Sequence, residues 1–509
     1  SYLDFLKNFN DFGLSAVLGT EYQKTQVDNT WVDGQNFPTD DLKTLASAGK
    51  ITSGSQTITE YAFLSYFARA TMDYKSKYLV TLAGRIDQSS RFGKDHRTGF
   101  FPALSAGWVI SKEDFMADNN TFSFLKLRSS FGTTGNAGIG NFKHLGLYGV
   151  SPYNAEPGFT PTQIANDNLS WESTNQIDAG LDFGLFKNRI SGEIDYYVKK
   201  TTDLLLDVPV PGTSGFSIQT QNIGSVENKG WEFALNGTIL TGEFRWNATF
   251  NFSVNKNKVT DLGGQDIIDA GSSRFMNVVK VGEELGAFYG AQYAGVAKDF
   301  IAGGNPDGSD IYGGDAIWYV NAKDDKGNII NPDSITSDFS YANFMILGSP
   351  TPDKLYSLTN TFDYKGFELA FTFQAVTGNK IHLTGDPYMA ANAAWYDNQT
   401  TDQLNSWKKP GDITDVPQAR IGYDNGDQGR NSRYLSDGSY IKLRSLTLAY
   451  VLPQKFISKA KLNNVRIYLQ GQNLLTFTKY KGWDPEVSSD FAVDNVTSGV
   501  DFYSAPMPR

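Results

Sequence analysis

Strict two-residue alternation is the feature that most constrains this chain. From Ala62 to Tyr74 the even positions read Leu64, Tyr66, Ala68, Ala70, Met72 and Tyr74. The odd positions read Phe63, Ser65, Phe67, Arg69, Thr71 and Asp73. Successive strand side chains point to opposite faces, so one face is apolar and the other carries charge and hydroxyls. A turn at Lys75-Ser76-Lys77 leads into a second such run, in which Tyr78, Val80, Leu82, Gly84 and Ile86 oppose Thr81, Arg85 and Asp87. The pattern recurs over 176–185, 190–199, 231–239, 243–255, 367–374 and 465–470. It slips once, near Arg444-Ser445, where a β-bulge accounts for the break.

Connections alternate between short and long. Phe9-Asn10-Asp11, Lys75–Lys77, Phe186–Asn188, Leu240–Gly242 and Tyr364-Lys365 read as tight turns. Lys24–Glu60, Thr134–Ser170, Leu204–Ile223, Thr260–Thr351 and Gly378–Asp437 read as long polar loops. That rhythm belongs to outer-membrane barrels, with short periplasmic turns and long external loops. About 14 strands are predicted before Thr478, with a mean length above about ten residues, which suits tilted membrane strands better than a soluble fold. Aromatic residues bracket the short turns (Tyr74 with Tyr78, Phe183 with Phe186, Tyr364 with Phe367), as an interfacial girdle would. The predicted fold class is all-β: a transmembrane antiparallel β-barrel with long extracellular loops and short periplasmic turns.

Composition narrows the function. A net charge of −10 on 509 residues argues against a nucleic-acid partner, which needs a basic footprint. There is no cysteine, so disulfide frameworks and thiolate metal sites are excluded. His96, His144 and His382 are far apart in sequence, which removes helical His-x-x-x-His zinc chemistry. No apolar run reaches the roughly 18 residues of a membrane helix, a test that strands do not face. A barrel in lipid must close. Ser1 already reads as strand, and Asn464–Thr476 is the last clear strand. The expectation is a piece of something longer, its wall completed by more of the same polypeptide or by other chains.

Several stretches are together specific. Asp87-Gln-Ser-Ser-Arg-Phe-Gly93, Phe101-Pro102 and Ser105-Ala-Gly-Trp108 come first. Leu125–Asn136, Leu169–Asn175, Asp195–Asp203, Asn222–Gly230 and Asn251–Val259 follow in order. Gly348–Pro352, Tyr364–Phe367, Asp437–Leu443, Gly471–Leu474 and Asp484-Pro-Glu486 complete the set. In this the chain resembles the SusC/RagA family of TonB-dependent outer-membrane transporters of Bacteroidota. The resemblance implies about 22 strands around an N-terminal plug, the plugged-lumen class of barrel. Residues 1–509 would be the C-terminal part of one such barrel domain, with 260–352 and 379–436 as extracellular loop insertions. The plug, the TonB-contacting segment, the early strands and the last strand are expected outside this chain.

The resemblance further implies the cell outer membrane of a Gram-negative, Bacteroidota-like bacterium. It implies a SusD-like surface lipoprotein as lid, TonB acting through the absent plug, contact with outer-membrane lipid, and room for a dimer of transporter–lipoprotein pairs. The implied function is TonB-dependent import of an oligosaccharide or oligopeptide. The rival is a SusC-like structural subunit of a larger assembly, such as secretion or barrel-insertion machinery. A soluble carbohydrate-binding β-protein and a passive porin are further alternatives.

No catalytic motif is present, and the chain is not expected to be an enzyme. Glu193 and Asp195 share one strand face, but polar lumen faces are ordinary in barrels. The resemblance implies a calcium-loop-like run after Gly314-Asp315, which would use Asp324, Asp325 and Asn328. Ala322, Lys323 and Lys326 interrupt its oxygen ligands, so a solvated turn without metal is preferred there. No cofactor is expected, and a structural calcium elsewhere in the loops stays open. Substrate contacts are assigned to the loop aromatics Trp318, Tyr319, Trp395, Tyr396 and Trp407, with Trp31, Tyr153 and Phe159 also at the mouth. Loop-on-loop packing is the alternative use of such rings. Arg69, Arg85, Arg128 and Arg245 are placed on the lumen face, lining the path or pairing with Asp73, Asp87 and other neighbours.

Overall fold

The computed structural model describes residues 1–154, 156–269, 275–320, 334–390, 397–421, 429–487 and 496–502. Fourteen long strands form one sheet. They are β1 (Tyr2–Phe9), β2 (Phe12–Gln35), β3 (Lys50–Tyr74), β4 (Tyr78–Ser89), β5 (Thr98–Val109), β6 (Phe122–Asn136) and β7 (Glu172–Leu185). Then come β8 (Ile190–Thr202), β9 (Ser225–Thr241), β10 (Phe244–Asp261), β11 (Lys354–Tyr364), β12 (Phe367–Thr377), β13 (Tyr440–Val451) and β14 (Arg466–Thr478). Each neighbours the strands before and after it in the chain, so the order is that of a meander. The predicted strand number and antiparallel architecture are the observed ones. No helix among the described residues is long and apolar enough to cross a membrane, which says nothing of strands.

The chain divides into two compact units: Ser1–Ala117 with Lys126–Ala179 and Lys199–Ser225, and Asp118–Leu125 with Gly180–Val198 and Val226–Arg509. In the first, register stacks like on like. Leu18 pairs Ala68, Ala70 pairs Leu82, Leu82 pairs Leu104 and Leu104 pairs Phe131. This face is open: Leu18 is 59% and Leu82 46% exposed, while Ser65 on the opposite face is 1% exposed. Water would oppose so large a bare apolar face, and lipid would not. The second unit repeats the arrangement in the row Leu369, Leu448, Leu469. A recess of about 670 Å³ beside Ala68, Ala70 and Gly84 lies on the first unit's apolar face and has no chemistry to offer.

Tight turns fall where predicted, at 10–11, 75–77, 186–189, 242–243 and 365–366. Tyr74 and Tyr78 stack across one of them at 6.4 Å, and Phe367 lies 4.4 Å from Tyr450 beside another. Lys75 and Lys365 sit over the rings of Tyr74 and Tyr364. Glu113, in the turn after β5, accepts from Tyr78 Oη at 2.8 Å and Trp108 Nε1 at 3.0 Å. Lys77 Nζ donates to it at 3.0 Å. Hydrogen bonds from Trp108, Tyr78 and Lys77 hold the Glu113 carboxyl down at about 2. The girdle rings thus use their polar ends on the protein itself.

The predicted bulge is present. Thr372 pairs Ser445 and Phe373 pairs Leu443, leaving Arg444 as the extra residue. The apolar set therefore switches from Ile441 and Leu443 to Leu446 and Leu448 without breaking the strand.

One prediction fails in an informative way. Lys24–Glu60 is not a loop: β2 runs up to Gln35 and β3 starts at Lys50, paired throughout. These residues keep β-branched composition, with Thr25, Val27, Thr30, Val32, Ile51, Thr57 and Ile58. They lose apolar/polar alternation because both faces meet solvent. The other long connections carry small sheets of their own, at 205–209 with 218–222, at 267–269 with 277–280, 287–291 and 344–348, at 293–296 with 316–319 and 335–336, and at 380–383 with 435–437 and 500–501.

Candidate functional site

In the first unit, the polar face of β2 to β6 holds a cavity of about 390 Å³. Its wall combines Glu21, Gln23, Arg85, Asp87, Arg91 and Trp171. Arg85 Nε donates to Asp87 Oδ1 at 2.6 Å, and Nη2 donates to Ser65 Oγ at 2.8 Å and Glu21 Oε2 at 3.2 Å. The guanidinium is held by three strands at once and keeps one orientation. Arg91 follows β4 in the loop carrying the Asp87–Gly93 stretch. It donates to Ala137 O at 2.7 Å and Asn141 Oδ1 at 2.9 Å, and lies 4.0 Å over the Tyr61 ring. It therefore ties the connection after β6 to the wall.

An aromatic cluster backs the cavity. Phe92 and Leu169 are fully buried. Trp171 lies 5.3 Å from both Phe92 and Phe101 and donates from Nε1 to Arg97 O at 2.8 Å. Phe101 in turn packs its ring against Gly135, where a Cβ would come within 2.1 Å of it. The family-like stretches are thus the residues that build this corner.

In the second unit, charged groups lock a loop onto the sheet. Lys442, fully buried on β13, donates from Nζ to Asp484 Oδ1 and Glu486 Oε2, both at 2.6 Å. Arg444, the bulge residue, grips Glu486 with both terminal nitrogens and donates from Nε to Gln374 Oε1 at 2.6 Å. Tyr440 Oη donates to Glu486 Oε1 at 2.9 Å. Burial alone would raise the Glu486 carboxyl, but the bonds from Arg444, Lys442 and Tyr440 bring it below the usual range.

Beyond this clamp, residues 496–502 thread into the loop layer. Asn277 Nδ2 donates to Ser498 O, His382 N donates to Gly499 O, and Tyr480 Oη donates to Asp501. His382 is fully buried and burial lowers it to about 4, so its ring is neutral at pH 7. Nearby, burial raises the Asp386 carboxyl to about 6; Asp501 and Asp402 add to this, while Lys481 and Arg433 oppose it.

A pH dependence follows from Asp386. Its folded value lies above the unfolded one, so the contribution is fully favourable below about pH 4 and is lost as pH rises through about 6. The loss is about 2 kcal/mol after allowance for partial exposure. Proteolysis at residues 379–390 and 429–437 should accelerate from pH 4 to 7 in the wild type. Asp386→Asn should remove that trend; an unchanged trend would place its origin elsewhere.

The residues singled out in the sequence separate into groups. Arg85 joins the cavity. Arg128 pairs Asp178 at 3.5 Å and Arg245 pairs Asp363 at 3.6 Å, while Arg69 makes no hydrogen bond or ion pair among the described residues. Of the two carboxylates offered as partners, Asp87 pairs with Arg85 at 2.6 Å, while Asp73 accepts from Ser76 N at 3.1 Å. Glu193 and Asp195 line a separate recess of about 510 Å³ with Glu232, Asn251 and Gln374.

Trp318 is fully buried among Ala291, Ala316 and Ala342. Trp407 is 7% exposed, packs on Gly313 and Gly314, and donates from Nε1 to Lys298 O. Both rings serve loop packing and are closed to a ligand, contrary to their assignment as substrate platforms: aromatic content alone does not report exposure. Tyr319, next to Trp318 on the same strand, is half-buried. Trp395, Tyr396, Asp324, Asp325 and Asn328 lie outside the described residues. Among the described residues no three His, Asp or Glu side chains gather closely enough to hold a metal ion. Arg91, Trp171, Lys442 and Asp484 were missed as individuals, although each lies in or beside a family-like stretch.

Residues 2–474 match the family described as TonB dependent receptor-like, beta-barrel. TonB-dependent receptor P3 of Formosa agariphila is 37% identical over 100% of this chain and 51% of its own length. TonB-dependent receptor SusC of Bacteroides thetaiotaomicron is 32% identical over 96% of this chain and 47% of its own. The solved RagAB peptide transporter superposes with a TM-score of 0.81 at 30% identity, covering 99% of this chain and 53% of that one. The chain thus spans about half the length of the relatives it matches. Match and architecture agree: the chain belongs to the TonB-dependent receptor β-barrel family, in its SusC/RagA branch.

Proposed function

We propose that the receptor containing this chain sits in the outer membrane and imports an oligosaccharide or oligopeptide, energised by TonB and assisted by a SusD-type surface lipoprotein. Residues 1–509 would serve as part of one barrel domain, with 260–352 and 379–436 as its external insertions. The observation that carries this reading is the polar face of the wall. It offers a cavity of fixed, oriented charges and a tryptophan, on a sheet whose other face is bare and apolar. Polar groups on one side and lipid-compatible groups on the other are what a solute path through a membrane requires. Similarity to SusC and to the RagAB transporter supports the choice of solute class and of a lipoprotein partner.

The test is growth on single oligosaccharides and peptides as sole nutrient. Deleting the gene should abolish growth on at least one of them, and deleting tonB should do the same. A tagged receptor should co-purify with a lipoprotein. Growth that is indifferent to both deletions, together with co-purification of secretion or barrel-insertion proteins, would overturn the reading in favour of a structural subunit.

A further inference from the structure

The turn that joins β13 to β14 differs from its neighbours in charge. It reads Leu452-Pro-Gln-Lys-Phe-Ile-Ser-Lys-Ala-Lys-Leu-Asn-Asn-Val465, with three cations and no anion, in a chain whose net charge is −10. Its shape is set locally. Pro453 leads into a short helix, Gln454–Ile457, continued by a 3-10 turn, Ser458–Ala460. Ile457, 5% exposed, pins the helix to the protein. Lys461 then takes the left-handed conformation (φ 57°), and Leu462 N donates back to Ile457 O at 3.3 Å. Glycine adopts that conformation with less strain, so the backbone alone does not call for lysine there.

Lys455, Lys459 and Lys461 are exposed and form no ion pair among the described residues. The carboxylates on the neighbouring strands and turns are already engaged. Glu368 holds Arg466 at 2.7 Å, Asp363 holds Arg245 at 3.6 Å and Glu243 holds Lys365 at 3.7 Å. Two apolar side chains stand out among the lysines: Phe456 is 68% and Leu462 48% exposed. The turn also starts where the bare apolar face of the wall ends. Leu448 on β13 is 52% exposed, and two residues on Tyr450 packs against Phe367 at 4.4 Å. From Tyr450 to Pro453 is about 10 Å of chain. That distance carries the lysines from the aromatic girdle to the depth of lipid headgroups.

We propose that residues 452–465 hold the headgroup of an anionic phospholipid in the leaflet on the tight-turn side. The proposal goes beyond solute import and rests on the outer-membrane placement stated above. A phosphodiester accepts charge-assisted hydrogen bonds from ammonium groups. Each lysine near an anionic lipid surface adds about fivefold to binding. Phe456 and Leu462 enter the boundary between headgroups and acyl chains, as in an interfacial anchor. A free phosphate ion satisfies the lysines and leaves both apolar side chains in water, whereas a lipid satisfies both sets. The competing occupant is an acidic segment of a periplasmic protein.

The full-length receptor in detergent is titrated with phosphatidylglycerol and with phosphatidylethanolamine, and bound lipid is counted by native mass spectrometry. A photoreactive benzophenone in place of the Phe456 ring reports the occupant in intact cells. The expected result is tighter binding of phosphatidylglycerol, a phospholipid adduct at position 456, and no displacement by inorganic phosphate. Joint Lys455→Gln, Lys459→Gln and Lys461→Gln should weaken that binding about a hundredfold. The corresponding three arginine substitutions should preserve it, and Phe456→Ser should weaken it with all three lysines in place. Equal binding of the two lipids, unchanged binding in the glutamine variant, displacement by inorganic phosphate, or an adduct with a protein overturns the proposal. Membrane fractionation is run in parallel. A receptor recovered outside the outer-membrane fraction would refute the placement and import with it, while the titration still decides the headgroup site. An outer-membrane receptor indifferent to the lysines would refute the site and leave import standing.

Discussion

Replacing Lys442 with methionine is expected to free the segment around Asp484 and Glu486 from the wall. The Lys442 ammonium has no exposed surface and lies 2.6 Å from one carboxylate of each residue. Removing one member of a buried ion cluster leaves the others desolvated and unpaired, at a cost of about 3–5 kcal/mol. Arg444 still holds Glu486, so the loss falls mainly on Asp484. The strand ladder on either side of β13 does not depend on this side chain, and the wall should stay folded. Hydrogen exchange at 479–487 is therefore expected to rise by orders of magnitude, with no change in β12 or β14. Adding Asp484→Asn to Lys442→Met should recover part of the protection, since the stranded charge is then gone. Unchanged exchange in the single variant would show that backbone packing, not the ion cluster, seats the loop. The clamp also has a defined acid limit. Glu486 is held below its ordinary value, so its contribution is present above the unfolded value and disappears as pH falls through the folded one.

Membrane strands were legible because one face is lipid-like and the other is not. Ala62–Tyr74 and Phe244–Val254 show this along their whole length, and even the slip at Arg444 could be read as a bulge. Above the membrane the same strands lose that contrast, so alternation does not mark 24–35 and 50–60 as strand, although their composition favours it. The cavity was partly legible. Arg85 follows from parity, but Arg91, Trp171 and Glu21 meet only through pairings that span dozens of residues. Trp318 and Trp407 show the converse limit: an aromatic ring in a long loop can be a packing residue as readily as a platform. Their burial depends on the small sheet of Tyr293–Val296, Ala316–Tyr319 and Ile335–Thr336 and on the glycines at 313–314 under Trp407, which no local pattern announces.

Trp318→Ala carries the second large expected effect. The ring has no exposed surface, lies 5.1 Å edge-on to Phe339 and 6.5 Å from Tyr293, and is bedded on Ala291, Ala316 and Ala342. Its strand, Ala316–Tyr319, pairs on one side with Tyr293–Val296 and on the other with Ile335–Thr336, so the ring sits where the small sheet meets its support. Removing it opens a cavity bounded by alanines too short to fill the space, at a cost of about 3–5 kcal/mol. Residues 287–320 and 334–348 should become sensitive to protease while the wall strands keep their protection. Trp318→Phe gives the decisive contrast. Its missing ring volume costs about 1 kcal/mol. The Trp318 Nε1 donor, buried without a partner among the described residues, is removed at the same time. Relief of such a group is worth about 1–3 kcal/mol, so the phenylalanine variant should be close to wild type. A packing residue therefore predicts loss of protection in alanine, retention in phenylalanine, and ligand binding that follows the protection. Loss of ligand binding in the phenylalanine variant, with those residues still protected, would mean that the indole itself reaches the ligand.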